Sequence, residues 1–101
     1  MKKYTREELN KVLELHVKWL NHEEDGARAE LAGADLSGLD LAGVVLTKAN
    51  LARANLTSTN LAGANLSRTD FTEANLTNAN LSKANLTYVY LTRTTLTGTI
   101  R

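Results

Sequence analysis

The groups in this 101-residue chain that could do chemistry are two histidines and a long column of asparagines and aspartates, and their spacing limits what they can do. His16 and His22 stand six apart, which on a helix puts them on different faces, so they do not form a zinc site. His16 reads as a core residue and His22 as a solvated loop residue. Cysteine is absent, which removes thiol chemistry and disulfides. Asp35, Asp40, Asn50, Asn55, Asn60, Asn65, Asp70, Asn75, Asn80 and Asn85 share one frame. Such a row could offer a polar lattice to a metal or to ice, but Asn and Asp side chains also close corners by bonding to nearby backbone. Outward threonines suit β geometry without any ligand. Gly33, Gly38, Gly43, Gly63 and Gly98 follow the same frame and read as turn residues, not as a phosphate loop. With no nucleophile elbow, phosphate loop or metal spacing, the sequence assigns no catalytic, cofactor-binding or metal residue and no small-molecule substrate, and it reads as non-enzymatic.

The element that carries this column has a period of five. Leu31, Leu36, Leu41, Leu46, Leu51, Leu56, Leu61, Leu66, Phe71, Leu76, Leu81, Leu86, Leu91 and Leu96 form an unbroken ladder. Two residues before these stand Ala29, Ala34, Ala49, Ala54, Ala64, Ala74, Ala79 and Ala84, with Thr59 and Thr69 as variants. A helix would scatter such a ladder around its circumference, and a period-two strand would send alternate leucines to opposite faces. A short extended step followed by a corner, repeated, points every Leu at one axis, and four steps close a square coil. The expectation is an all-β solenoid with two columns facing in and three facing out.

The runs Ala34-Asp35-Leu36-Ser37-Gly38, Ala49-Asn50-Leu51-Ala52-Arg53 and Ala54-Asn55-Leu56-Thr57-Ser58 resemble the pentapeptide-repeat proteins, whose consensus is Ala-(Asp/Asn)-Leu followed by two variable residues. The resemblance covers residues 29 to 101 and implies a right-handed quadrilateral β-helix. At twenty residues per coil this gives about 3.5 coils, roughly 17 Å tall at the spacing of neighbouring strands. A solenoid escapes the small core of a short globular chain because each coil packs on its neighbour.

Residues 1–26 lack the five-residue frame. Leu9, Val12, Leu13, His16, Val17 and Leu20 form an apolar stripe at helical spacing. Thr5 and Glu8 fit a capping box, with Tyr4 and Leu9 as a hydrophobic staple, so the helix should begin at Arg6. Glu7 with Lys11 and Glu14 with Lys18 are oriented as helix-stabilising pairs. Glu23, Glu24 and Asp25 oppose the helix dipole, so the helix should stop near Asn21 or His22 and turn through Gly26 into residues 27–101. Its stripe suits covering the first coil, whose end would otherwise invite strand pairing; docking into a partner's groove is the rival reading. Leu15 and Trp19 lie off the stripe and either widen the buried face or touch something outside.

At the C-terminal end Tyr88, Val89 and Tyr90 break the consensus, and Thr95 and Ile100 replace the usual Asn or Asp. This predicts an open coil that joins a second copy through Tyr88, Val89, Tyr90, Leu91, Leu96 and Ile100 in a two-fold contact. The competing expectation is a monomer whose edge is blunted by the hydroxyls of Thr94, Thr95, Thr97 and Thr99. Stepping by twenty stacks Arg53, Glu73 and Arg93 in one outward column and Lys48, Arg68 and Tyr88 in another, the latter being the one basic stripe with an aromatic. Two cations do not hold nucleic acid tightly.

Mimicry of duplex DNA toward a type II topoisomerase such as DNA gyrase is the alternative function that the resemblance implies. It needs an extended negative surface, whereas residues 27–101 carry seven basic and five acidic side chains. No secretion signal and no run of the roughly eighteen apolar residues needed to span a membrane is present, so the expected setting is cytoplasmic, without membrane contact. The sequence thus reads as a structural or protein-interaction module that self-associates and has an unidentified protein partner.

Overall fold

Every fifth residue from Glu30 to Asn80 forms a parallel bridge with the residue twenty positions later: Glu30 with Asn50, Asn50 with Asp70, Asp70 with Tyr90, and equivalent ladders begin at Asp35, Asp40 and Val45. The computed structural model describes residues 1–101. Twenty residues make one coil of four five-residue sides. On each side the Leu N–H donates forward to the next coil and the Asn N–H donates back. Leu36 donates to the Asn55 carbonyl at 2.8 Å, and Asn55 donates to the Ala34 carbonyl at 2.8 Å. The extended step is a single bridging residue, because the chain turns again before a second pair can form. Each turn is closed by an i+3 bond such as Ala34 N–H to the Leu31 carbonyl at 3.1 Å.

The second residue after each ladder position has left-handed backbone. Gly33 (φ +70°) does this without strain, but Lys48, Arg53, Ser58, Arg68, Glu73, Asn78, Lys83, Tyr88 and Arg93 adopt it too, at φ between 53° and 64°. No Thr, Val or Ile occupies this column although threonines crowd the column beside it, as expected where β-branching clashes with positive φ.

The ladder from Leu31 to Leu81 and the alanines from Ala29 to Ala79 form one buried cluster. Thr59 and Thr69 are buried in the small-residue column, where their hydroxyls donate to the carbonyls of Leu36 at 2.8 Å and Leu46 at 2.7 Å. Most of the Asn and Asp column is half-buried and not fully outward, with Asp40, Asn75 and Asn85 exposed, because each side chain folds over its own turn. Asn55 Oδ1 accepts the Thr57 N–H at 3.1 Å and hydroxyl at 2.7 Å. The same arrangement holds the Asp70 carboxyl below the usual carboxylate range, chiefly through the Thr72 hydroxyl and N–H.

Helix α1 spans Arg6–Leu20. Its capping box is complete: the Thr5 hydroxyl accepts the Glu8 N–H at 3.1 Å and Glu8 accepts the Thr5 N–H at 2.8 Å. The helix ends in a Schellman arrangement in which His22, in left-handed backbone, takes the place usually given to glycine. His22 N–H donates to the Trp19 carbonyl and Glu23 N–H to the Lys18 carbonyl. That reversal brings Asp25 back to Lys18 at 2.9 Å. The observed ion pairs are therefore Lys18–Asp25 and Lys11–Glu14, instead of the expected Glu7–Lys11 and Glu14–Lys18. Gly26 serves by close approach and not by positive φ, since a Cβ there would run into the backbone of Lys18 and Trp19. No helix is long and apolar enough to cross a membrane.

Candidate functional site

The helix and the first coil meet through groups that replace a preceding coil. Leu9 and His16 are fully buried, and Tyr4, Val12 and Leu13 pack on the solenoid core. Leu20 is half-buried, but Val17 is 39 % exposed and does not belong to the buried face. The helix is rolled so that Trp19, stacked on the His16 ring at 5.6 Å, takes up the flank instead.

Polar bonds complete the junction. His16 Nδ1 accepts the Ala29 N–H at 2.9 Å, so Nε2 carries the proton that it donates to the Thr47 carbonyl at 2.7 Å. Burial pushes the His16 pKa down, opposed by the Thr47 carbonyl and assisted by the Arg28 charge. Arg6 donates to the Asp40 carbonyl at 3.0 Å, Ala27 N–H to the Leu15 carbonyl, and Asp35 N–H to the Lys2 carbonyl at 2.8 Å. Lys3 bridges Asp35 in parallel. The segment before the helix thus adds a short piece of strand to the first coil. Neither that strand nor the role of Arg6 was legible in the sequence, because nothing in the five-residue frame extends to residues 2–6. The one signal for His16 was a polar residue standing in an apolar stripe.

At the other end the ladder comes into the open. Leu86 and Leu96 are half-buried, Leu91 is 37 % exposed and Ile100 56 % exposed. Tyr88 and Tyr90 project from the surface, and Val89 is half-buried against the core. An apolar recess of about 30 Å³ is lined by Phe71, Leu76, Leu81, Leu86, Leu91, Leu96 and Arg101. The N–H groups of Leu86, Tyr88, Leu91, Arg93, Leu96 and Gly98 donate to no group of the chain, although their counterparts one coil earlier all donate forward. Thr94 does not blunt the edge: its hydroxyl turns inward to the Phe71 carbonyl at 2.7 Å. Thr99 likewise bonds its hydroxyl to the Leu96 carbonyl at 3.0 Å. The end therefore presents apolar side chains and a row of open amides together.

Nothing in either end gathers three or more His, Cys, Asp or Glu side chains in a metal-holding group. What the arrangement can do is bury apolar surface and complete a backbone ladder, which is recognition chemistry.

The family model that matches the chain is described as pentapeptide repeats, with eight copies and matched segments 27–63, 49–87 and 59–98. No curated protein matches significantly. Among solved structures, the chain is similar to the pentapeptide repeat protein Rfr23 from the cyanobacterium Cyanothece 51142. The two are 40 % identical, the match covers 71 % of this chain and 52 % of that one, and the TM-score is 0.43. A pentapeptide repeat protein from Nostoc PCC 7120 is 24 % identical over 97 % of this chain and 75 % of its own, with a TM-score of 0.48. HetL, a pentapeptide repeat protein involved in heterocyst differentiation regulation from Nostoc sp. strain PCC 7120, is 36 % identical over 67 % of this chain and 36 % of its own, with a TM-score of 0.43. The chain thus spans about half the length of Rfr23.

Proposed function

Because the chain belongs to the pentapeptide-repeat family, we propose that it works as a capped interaction module, without catalysis, that joins a second copy through its C-terminal coil. Proteins of this family form right-handed quadrilateral β-helices and are generally structural or interaction modules. In this reading residues 27–101 make about 3.5 coils at twenty residues each, and α1 is a cap that prevents pairing at the first coil. With one end closed, association stops at a pair instead of running on into a fibre.

The observation that carries the proposal is the coincidence, on one end, of exposed Tyr90, Leu91 and Ile100 with unpaired amides of Leu86, Leu91 and Leu96. A second copy related by a two-fold axis covers both at once, with Tyr88, Val89 and Tyr90 at the rim. The DNA-mimic alternative needs a continuous negative surface, and the seven basic and five acidic residues of 27–101 give none.

Light scattering over a concentration series, on the parent chain and on Leu96→Lys, tests the proposal. The expected result is a parent of twice the 11.0 kDa chain mass and a monomeric variant with unchanged circular dichroism. A parent that stays monomeric at all concentrations, or a dimer that Leu96→Lys leaves intact, overturns it.

A further inference from the structure

The four outward corner columns of the solenoid carry unlike chemistry. Gly33, Arg53, Glu73 and Arg93 form a column of alternating sign, with Arg93 Nε 3.7 Å from the Glu73 carboxylate. Gly38, Ser58, Asn78 and Gly98 form an uncharged one, and Gly43, Gly63 and Lys83 hold a single cation. The remaining column stacks Arg28, Lys48 and Arg68 below Tyr88, with no acid among them. Like charges stacked on neighbouring strands repel. Arg28 is relieved by Glu30 at 3.3 Å and by the Lys48 carbonyl at 2.6 Å. Lys48 and Arg68 have no carboxylate partner; Arg68 instead lies over the Tyr88 ring at 5.4 Å.

Two open, adjoining depressions run along this column, of about 460 and 420 Å³, and they share Arg68 and Tyr90. Tyr88 borders one, and Trp19, reaching over from α1, borders the other. The cations therefore stand between an aromatic from the helix and two from the terminal coil.

We infer that this face docks an acidic helical segment of a partner protein, with carboxylates on Lys48 and Arg68 and apolar side chains against Trp19, Tyr88 and Tyr90. Register favours a helix: coils stack at roughly 4.8 Å, close to the 5.4 Å pitch of an α-helix, so acids one turn apart meet successive cations with a slip of only about 1 Å over two steps. The depressions are too open for a small molecule, which is ordinarily enclosed over most of its surface. Glu30 and Asp70 lie in the neighbouring column. They oppose a phosphate chain, which is charged at every step, whereas a helix can place neutral residues opposite them. Lys48, Arg68 and Trp19 lie outside the residues assigned to the C-terminal contact, so their part of the site stands whether or not the C-terminal ends associate; Tyr88 and Tyr90 border both surfaces.

Trp19 is the only tryptophan, so its fluorescence can follow a titration with a synthetic helical peptide carrying Glu at i, i+4 and i+7 with leucines between. The matching lysine peptide and a single-stranded oligonucleotide serve as competitors for the same face. Saturable binding that weakens with salt is expected for the acidic peptide, falling at least about tenfold in Lys48→Glu and in Arg68→Glu, and unchanged in Arg53→Glu and in Leu96→Lys. Glutamate is tolerated at this corner position, since Glu73 adopts the same left-handed backbone at φ 61°, and thermal melts check that each variant is folded. Absence of binding, binding indifferent to Lys48 and Arg68, or tighter binding of the oligonucleotide overturns the inference.

Discussion

The two ends of the solenoid face the same physical problem and meet it differently. Any terminal coil exposes one layer of its leucine ladder and the amides and carbonyls that a further coil would pair. At the N-terminal end Lys2, Arg6, Leu15 and His16 take over those pairings one by one, and Leu9 seals the apolar layer. At the C-terminal end nothing in the chain does so: Leu91 is 37 % exposed and the amide row is open. The contrast teaches that closure here is not a matter of apolar coverage alone. It also needs a donor or acceptor at each position where the ladder stops: Arg6 and His16 supply side-chain groups, and Lys2 and Leu15 supply backbone carbonyls.

The comparison predicts a gradient in what the ladder residues are worth. Leu36→Ala, under the capped end and fully buried, should cost about 2–5 kcal/mol in urea unfolding. Leu96→Ala, half-covered, should cost well under half as much in the monomer; equal losses would mean that the open end is as well packed as the closed one.

His16→Ala leaves the Ala29 amide and the Thr47 carbonyl without partners and should cost on the order of 3 kcal/mol. The same residue gives the closed end a pH dependence. Its folded pKa is depressed by burial below the ordinary value of 6.5, so the unfolded chain binds the extra proton more readily. Its contribution is complete above about pH 6.5 and is lost as pH falls through that value toward the folded pKa. The acids with lowered pKa values, Glu8, Glu14, Asp25, Asp35 and Asp70, lose theirs only further down, below the ordinary carboxylate range. Denaturation midpoints between pH 7 and about pH 5 should therefore drop in the parent and stay flat in His16→Ala. Amide exchange should locate the acid-induced opening at Ala29 and not at the C-terminal coil.

Corner residues sharpen the comparison from the middle of the stack, where neither end is involved. Arg53→Thr puts a β-branched residue into left-handed backbone and should destabilise by about 1–2 kcal/mol, while Arg53→Gly should be neutral or better; thermal melts of the two variants separate backbone strain from lost charge. The smallest effect expected is that of Thr5→Ala, about 1 kcal/mol from the lost helix cap. Circular dichroism at 222 nm should show the helix fraying while the solenoid melt barely moves.

The solenoid was legible in the residues themselves. A five-residue period is incompatible with helix or flat strand, so Leu31 to Leu81 had to point at one axis, and the small column fixed which residue lay beside each corner. The left-handed corners were legible too, in the exclusion of Thr, Val and Ile from one column, but only once that exclusion is sought. The capping box at Thr5 and Glu8 was a local signal of the same kind.

What the sequence did not hold was anything set by the packing of the helix on the first coil. Val17 looked buried because a stripe fixes a face only to within a side chain or two, and the roll that exposes it is decided by where His16 finds two backbone partners. Lys18 turned from Glu14 to Asp25 because the left-handed turn at His22 folds the acids back. Lys2 and Arg6 gained their roles from carbonyls and amides more than twenty residues away. Periodicity determined the solenoid because each repeat meets only its neighbours, at a fixed separation in the chain. The junction and the charged face were decided by tertiary structure, because their partners are distant in sequence and no repeating pattern ties one to the other.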